Sequence, residues 1–335
     1  MKVLVLTTSY PRTPDDSAGV FVAEGVDALR AGGLDVTVVS PSSFRHFGIA
    51  YGDGIVNNLR RAPWRALLLP AFFVSFLAAT RRASRGVDLV HAHWLPSMLP
   101  ALAVRKPVVA QLWGSDAALA MRMPWLSRRL LRRAVAVVCA SESLARDARA
   151  LGARDVSVVP GGVKIPEAVV APAEPSFVLY IGRLSREKGV EELAEAAHGL
   201  PLVVIGDGPL RGLFPEARGA VPPAEVGGWL DQAAVVVVPS RREGYGMVAR
   251  EAMAHGRAVV ATDAGGLRDA IIDNETGLVV PVGDPEALRV AIRRLLGDPA
   301  LRARLGAAAR GFAVERFGWE TAVRDLIGIY RAVLD

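Results

Sequence analysis

Short apolar runs rich in valine, leucine and isoleucine alternate along the chain with longer segments whose apolar positions recur at helical spacing. In the first half the runs fall at residues 2–7, 35–40, 88–91, 107–112, 135–140 and 156–159. In the second half they fall at 177–181, 202–205, 234–238, 258–261 and 278–280. Runs of this length belong to strands covered on both faces, and helices between them imply parallel pairing. The pattern therefore predicts an α/β protein made of two doubly wound parallel-sheet units. Between the halves, residues 164–176 carry Pro166, Pro172 and Pro175 with few large apolar side chains, the composition of an exposed, semi-stiff linker. Past Asp284 the pattern turns helical, and in the last segment Ala322, Leu326, Ile329 and Tyr330 follow helix spacing. The predicted division is a first domain at 1–165, a linker at 166–176, a second domain at 177–316 and a terminal helix at 317–335.

Composition sharpens this picture. At 335 residues the chain is long for one hydrophobic core and fits two domains of ordinary size. A 51% hydrophobic content and a mean hydropathy of +0.30 exclude a disordered chain. The single cysteine, Cys139, lies inside an apolar run, so no disulfide framework exists and the thiol reads as a small core residue in a reducing compartment. The apolar start turns polar after Leu6, too short for a signal peptide, so the expected location is cytoplasmic.

The net charge of +6 favours anionic partners. The densest basic stretches are residues 128–133 and the flanks of residues 66–80, where Arg60, Arg61 and Arg65 precede and Arg81 and Arg82 follow. No aromatic-plus-basic module accompanies them, so nucleic acid is not an expected partner. The apolar run 66–79, interrupted by Pro70, is 14 residues long, below the roughly 18–20 needed to span a bilayer. It reads as a buried helix of the first domain. The alternative is a membrane-surface helix with arginine anchors, which would add an anionic membrane surface to the partners and make the protein peripheral at the inner face.

Candidate chemistry concentrates in the second half. The stretch from Pro239 to Ala254 follows an apolar run and opens a helical pattern. Within it, Gly244 and Gly246 allow a tight turn and close approach of the backbone to a ligand. The N–H groups of Gly246, Met247 and Val248 would face whatever sits at the helix N-terminus, where a phosphate binds best. Glu251 follows Glu243 by about two turns and is placed to accept hydrogen bonds from a ribose. A second glycine cluster, Gly206 and Gly208, stands at another strand end. It is not a dinucleotide fingerprint, because Arg211 occupies the place of the third glycine and the first strand is followed by Thr7, Thr8, Ser9 and Tyr10 with no glycine turn.

Glu243 and Glu251, separated by seven residues in this glycine-rich setting, resemble the paired-glutamate motif of retaining glycosyltransferase family 4. The segment from Tyr180 to Val190, with Gly182, Arg183 and Lys188, is similar to the strand, turn and helix that deliver a basic pair to the donor diphosphate in that family. The resemblance covers almost the whole chain, with the motifs in the family's order. It implies the GT-B fold, in which two Rossmann-like doubly wound parallel-sheet domains face a central cleft and the last helix crosses back to the first domain. It also implies a transferase that moves a sugar from a nucleotide diphosphate to a sugar, glycan, lipid-linked or small-molecule acceptor, with retention of anomeric configuration and no metal cofactor.

On that resemblance Arg183 and Lys188 stabilise the charge gathering on the leaving diphosphate. Glu243 and the amides of Gly246, Met247 and Val248 orient the donor, and Glu251 holds its ribose. Gly182, Gly206, Gly244 and Gly266 complete the donor site, with Ala220 and Val221 at the nucleobase. No Asp-x-Asp metal motif stands in a suitable setting.

In the first half, residues 8–12 and 17–21 resemble the loop that reaches the diphosphate, with Gly19 letting its backbone close in. The family often has two glycines there; this chain has Ala18 and Gly19. Residues 88–94 and 111–116 resemble the acceptor-side strands, which makes His93, Trp113 and Asp116 the expected acceptor-binding residues. Many relatives carry histidine at the position of Trp113, and a large aromatic there suits stacking on a sugar ring. His91 and His93 are read as pointing to opposite faces of their strand, which argues against an adjacent metal pair and gives the cleft to His93. Two other readings stay open: a nucleotide-sugar epimerase of the same architecture, and an inactive scaffold that binds a membrane surface. The glutamate pair and residues 182–188 favour transfer.

Overall fold

A computed structural model of the chain describes residues 1–51, 54–114 and 123–335. The first sheet contains β1 (Lys2–Leu6), β2 (Asp35–Val39), β3 (Leu89–His93), β4 (Val108–Leu112), β5 (Ala136–Cys139) and β6 (Val156–Val158), in the order β2-β1-β3-β4-β5-β6. The second contains β7 (Val178–Ile181), β8 (Leu202–Ile205), β9 (Val235–Val238), β10 (Ala258–Thr262) and β11 (Leu278–Val280), in the order β11-β10-β9-β7-β8. The strand pairings are all parallel. Each strand coincides with one of the predicted apolar runs to within about two residues, the usual uncertainty of element ends.

The chain divides into two compact units, residues 1–162 with 322–335, and residues 163–321. In the second unit β9 shows why uninterrupted valine makes a strand here. Val235 and Val237 enter one apolar cluster with Tyr180 and Ile292, while Val236 and Val238 enter another with Leu179 and Met253. Alternate residues thus serve the two covered faces, and each fully buried valine or leucine contributes about 1.5–3 kcal/mol. The proline-rich segment lies within this unit. Its side chains from Glu167 to Pro172 are exposed, but its backbone is tied down. Arg310 donates to the Pro166 carbonyl at 2.6 Å, Arg257 to the Val170 carbonyl at 2.5 Å, and the Ala173 N–H to the Gln232 carbonyl at 2.9 Å.

In the first unit the central strand β1 buries Val3, Leu4, Val5 and Leu6 completely, and the Cys139 thiol is buried in β5 as expected. The helix Trp319–Leu334 joins this unit from Ala322 onward, burying Val323, Leu326 and Tyr330. The Tyr330 hydroxyl shares a 2.7 Å hydrogen bond with His91 Nδ1.

The apolar segment between β2 and β3 departs from its sequence reading. A 3-10 run Pro63–Leu68 continues into the helix Leu69–Ala83, because Pro63 and Pro70 occupy first-turn positions where a missing N–H is tolerated. Only Phe72, Phe76, Ala79 and Thr80 are buried, while Leu67 is 84% and Val74 is 67% exposed. The segment is therefore covered on one face rather than buried. Its 21 residues are long and apolar enough to cross a bilayer. Both ends, however, return to strands hydrogen-bonded to β1, so the segment is a crossover of this sheet.

Candidate active site

In the second sheet β7 lies between β8 and β9, so the chain leaves β7 toward β8 and returns on the other side to β9. At such a switch point the loops leaving the carboxyl ends of the strands diverge and open a ligand crevice. After β7 the chain passes Gly182 and Arg183, whose carbonyl accepts a 2.9 Å hydrogen bond from the Tyr180 hydroxyl. The turn Arg186–Lys188 ends at Gly189, φ 68°, which opens the helix Val190–Ala196. A Cβ at Gly189 would overlap the Pro239 carbonyl oxygen, so only glycine lets this turn touch the loop after β9.

Further bonds lock the two loops together. The N–H groups of Arg241 and Arg242 donate to the Glu187 carbonyl at 2.9 and 3.2 Å. The Arg241 side chain donates to Glu192 at 2.5 Å and lies 3.3 Å from Glu191. The consequence is that Lys188 Nζ donates to Glu243 Oε2 at 2.6 Å across 55 residues of sequence. Ser240 Oγ donates to the same oxygen at 3.0 Å, and the Ser240 carbonyl accepts from Thr262 Oγ1 at 2.5 Å. Glu243 is thus fixed from two sides, with its side chain 13% exposed.

The same loop ends in the helix Met247–Ala254, entered through Gly246 at φ 82° with no side-chain cap. Its first N–H groups have no acceptor within the helix, which leaves positive potential at that end. Arg250, completely buried one turn on, donates to the carbonyls of Tyr245 and Gly266, the latter at 3.2 Å. Its guanidinium lies over the Tyr245 ring at 3.8 Å and the Phe317 ring at 4.6 Å. Burial lowers its pKa, with Tyr245, Asp269 and Glu243 opposing. Burial also pushes the Tyr245 hydroxyl up to about 12 and raises that of Tyr180, to which the Glu243 charge adds. The Gly266 N–H donates to the Glu243 carbonyl at 2.9 Å, bringing the loop after β10 against the same turn.

At the end of β8 the Gly206 N–H donates to the Gly219 carbonyl at 2.7 Å, and the Gly182 N–H to the Ile205 carbonyl at 2.9 Å. Ala220 is exposed and Val221 half-buried, on the segment between Gly219 and the helix Pro223–Gln232. The structure therefore gathers Arg183, Lys188, Glu243, Gly182, Gly206, Ala220, Val221 and Gly266 onto loops at the carboxyl ends of β7 to β10. Gly244, Gly246, Met247, Val248 and Glu251 continue along the loop and helix after β9. Among the described residues no group of three or more His, Cys, Asp or Glu side chains converges as a metal site would. Ser240, Arg241, Arg250 and Thr262 stand inside the runs singled out from the sequence, but sequence reasoning assigned none of them a role of its own. From the sequence Arg250, beside Glu251 in a helical pattern, reads as a solvated charge, and its burial carries no signal there.

Gly19 lies in the first unit at φ 70°, opening the helix Val20–Ala31, where a Cβ would overlap the Ser9 carbonyl oxygen. His91 and His93 do not point to opposite faces. Their ring centroids are 4.4 Å apart, because residues two apart on a strand share a face. Both are buried, and desolvation lowers the pKa of His91 to about 4 and that of His93 well below its ordinary value, so both are neutral. Trp113 Nε1 donates to His93 Nδ1 at 3.0 Å with the rings stacked, which puts the imidazole proton of His93 on Nε2. Phe21 packs edge-on against Trp113 and Trp94, with centroids at 4.7 and 5.8 Å. Asp116 lies outside the described residues.

Comparison with known proteins follows the same division. Residues 175–298 match the family model described as Glycosyl transferases group 1, and residues 18–165 match Glycosyltransferase Family 4. A D-inositol 3-phosphate glycosyltransferase of Acidothermus cellulolyticus is 30% identical, over 94% of this chain and 85% of that protein. Among solved structures, sucrose-phosphate synthase from Thermosynechococcus elongatus superposes with a TM-score of 0.82 at 23% identity, covering 99% of this chain and 98% of that one. Anabaena HepE in complex with UDP-glucose superposes with a TM-score of 0.77 at 18% identity, covering 99% of this chain and 100% of that one. These likenesses assign the GT-B fold. With the matched models and the 30% identical relative, they place the chain in glycosyltransferase family 4, and the protein is a glycosyltransferase.

Proposed function

We propose that the enzyme is a retaining, metal-independent glycosyltransferase that takes a sugar from a nucleotide diphosphate and places it on a glycan, a lipid-linked sugar or a small molecule. The observation that carries this reading is the meeting of Lys188 and Glu243 at 2.6 Å on the loop that leads into the open N-terminus of the helix Met247–Ala254. A cation, an orienting carboxylate and unpaired main-chain donors on one loop pair suit a pyrophosphate with a sugar attached. The UDP-glucose complex of HepE, a relative in fold, is in keeping with such a donor.

In the proposed reaction the bond from the anomeric carbon to the β-phosphate oxygen breaks while the acceptor oxygen bonds to the same face of that carbon. The acceptor proton leaves with the departing phosphate oxygen, so no residue need form a covalent intermediate. Lys188, Arg183 and the N–H groups of Gly246, Met247 and Val248 take the charge that develops on the diphosphate. Glu243 orients the sugar and Glu251 holds the ribose. In the first unit His93, Trp113 and Asp116 serve the acceptor, with Trp113 offering a face for sugar stacking.

A thermal-shift screen across nucleotide sugars, followed by NMR of the product's anomeric proton with and without EDTA, tests the proposal. The expected result is stabilisation by one class of donor, a product of unchanged configuration, and full turnover in EDTA. An inverted product or loss of turnover in EDTA would remove the matching part of the reading. Epimerisation of the donor in the absence of acceptor would replace transfer by isomerisation.

A further inference from the structure

The outward face of the segment Pro63–Ala83 is unusual for a surface helix. Leu67, Ala71, Val74 and Ala78 follow one another at spacings of three or four, and all four are exposed. A helix that covers a sheet with one face normally turns charged residues to water on the other. Here no charge occurs from Ala66 to Thr80, and Trp64, 62% exposed, stands at the entrance. Arginines bracket the stripe instead: Arg60 before it and Arg81, Arg82 and Arg85 after it are all exposed. From Gly54 to Val87 the sequence holds six arginines and no aspartate or glutamate.

A second helix repeats the combination. Pro124–Leu131 buries Ser127, Leu130 and Leu131 and leaves Trp125 68% exposed. Trp125 lines an open recess of about 600 Å³ together with Arg128, Arg129, Arg132 and Arg133. No acidic residue occurs between Asp116 and Glu142. Both helices pack against the helix Leu95–Ala101 of the first unit.

We infer that this side of the first unit docks on a lipid bilayer containing anionic phospholipid. The apolar stripe lies in the plane of the interface, with Trp64 and Trp125 at headgroup depth. The bracketing arginines reach the phosphates, and the recess lined by four arginines receives a headgroup phosphate through paired N–H donors. Charge complementarity selects this occupant: a soluble partner's apolar face would cover the stripe but gives no reason for exposed arginines on both sides of it. Spanning is excluded, because both ends of the segment enter strands paired with β1. The inference is independent of the donor-site reading, whose phosphate-binding loops lie in the second unit.

The test is co-sedimentation of the full chain with vesicles of phosphatidylcholine alone and of phosphatidylcholine mixed with phosphatidylglycerol. Partition into the mixed vesicles is expected to be about 10-fold stronger or more and to fall with added salt. Two double variants, Leu67→Glu with Val74→Glu and Arg128→Glu with Arg129→Glu, change only exposed side chains. Each is expected to reduce partition at least about 10-fold with an unchanged melting temperature. Equal partition into both vesicle types, or variants that bind like the wild type, would overturn the inference. So would a concentration-dependent dimer in sedimentation velocity, abolished by the first variant, with no vesicle binding, since the stripe would then belong to a second copy.

Discussion

Replacing Arg250 by methionine probes how the donor loops are held. The guanidinium is completely buried and donates to the carbonyls of Tyr245 and Gly266, one on each of two neighbouring loops. Methionine fills much of the same volume but supplies no donor. Two carbonyls left without partners cost about 1–3 kcal/mol each. Loss of the contacts with the Tyr245 and Phe317 rings adds about 1 kcal/mol each. Against this stands relief from burying a cation, which is substantial because Arg250 Nε has no hydrogen-bond partner. The net expectation is a loss of about 2–4 kcal/mol. Urea unfolding should show it as a lower midpoint at unchanged slope for the transition of the second unit. Titration calorimetry should show the best-binding nucleoside diphosphate weakened by about 10-fold, because the loops carrying Glu243 and Gly266 drift apart. A loss below about 1 kcal/mol with unchanged nucleotide affinity would refute the view that this side chain ties the two loops.

Other expectations follow from the same geometry. Gly189→Ala must adopt a left-handed conformation and displace the Pro239 carbonyl, so a loss above about 2 kcal/mol with a fall in kcat is expected; a wild-type melting curve would show that the turn has room to spare. His91 binds its proton less readily when folded, at about 4 against the ordinary 6.5, so its neutral form supports the fold fully above pH 6.5 and the support is lost as pH falls toward 4. Between about pH 6.5 and 5 this amounts to roughly 2 kcal/mol, and His91→Asn should flatten that slope in urea unfolding at the two pH values. An unaltered slope in the variant would assign the pH dependence elsewhere.

Much of the fold was legible because the strands are covered on both faces. Continuous apolar runs such as Val235–Val238 can satisfy two cores at once and read as nothing else when helices flank them. The donor site was legible for a related reason: glycines, a basic pair and two glutamates stand immediately after strand ends, where a parallel sheet presents its ligands. What escaped the sequence depends on the third dimension. Ser240 and Thr262 acquire a role only through a hydrogen bond between neighbouring strand ends. Arg250 looks like a solvated helix charge, and its burial follows from Tyr245 and Phe317 closing over it. The faces of His91 and His93 were misassigned although the two-residue strand period determines them. The segment around Phe72 was expected to be buried because its composition is apolar, whereas burial of one face was all that a single sheet could provide.

The central claim is that Lys188 and Arg183 supply the charge stabilisation for departure of the diphosphate. Steady-state turnover of Lys188→Ala and Arg183→Ala, with the donor identified by the screen, tests it most directly. Each variant should lose about 10²-fold or more in kcat while keeping the wild-type fold. Turnover within a few-fold of wild type in both would contradict it.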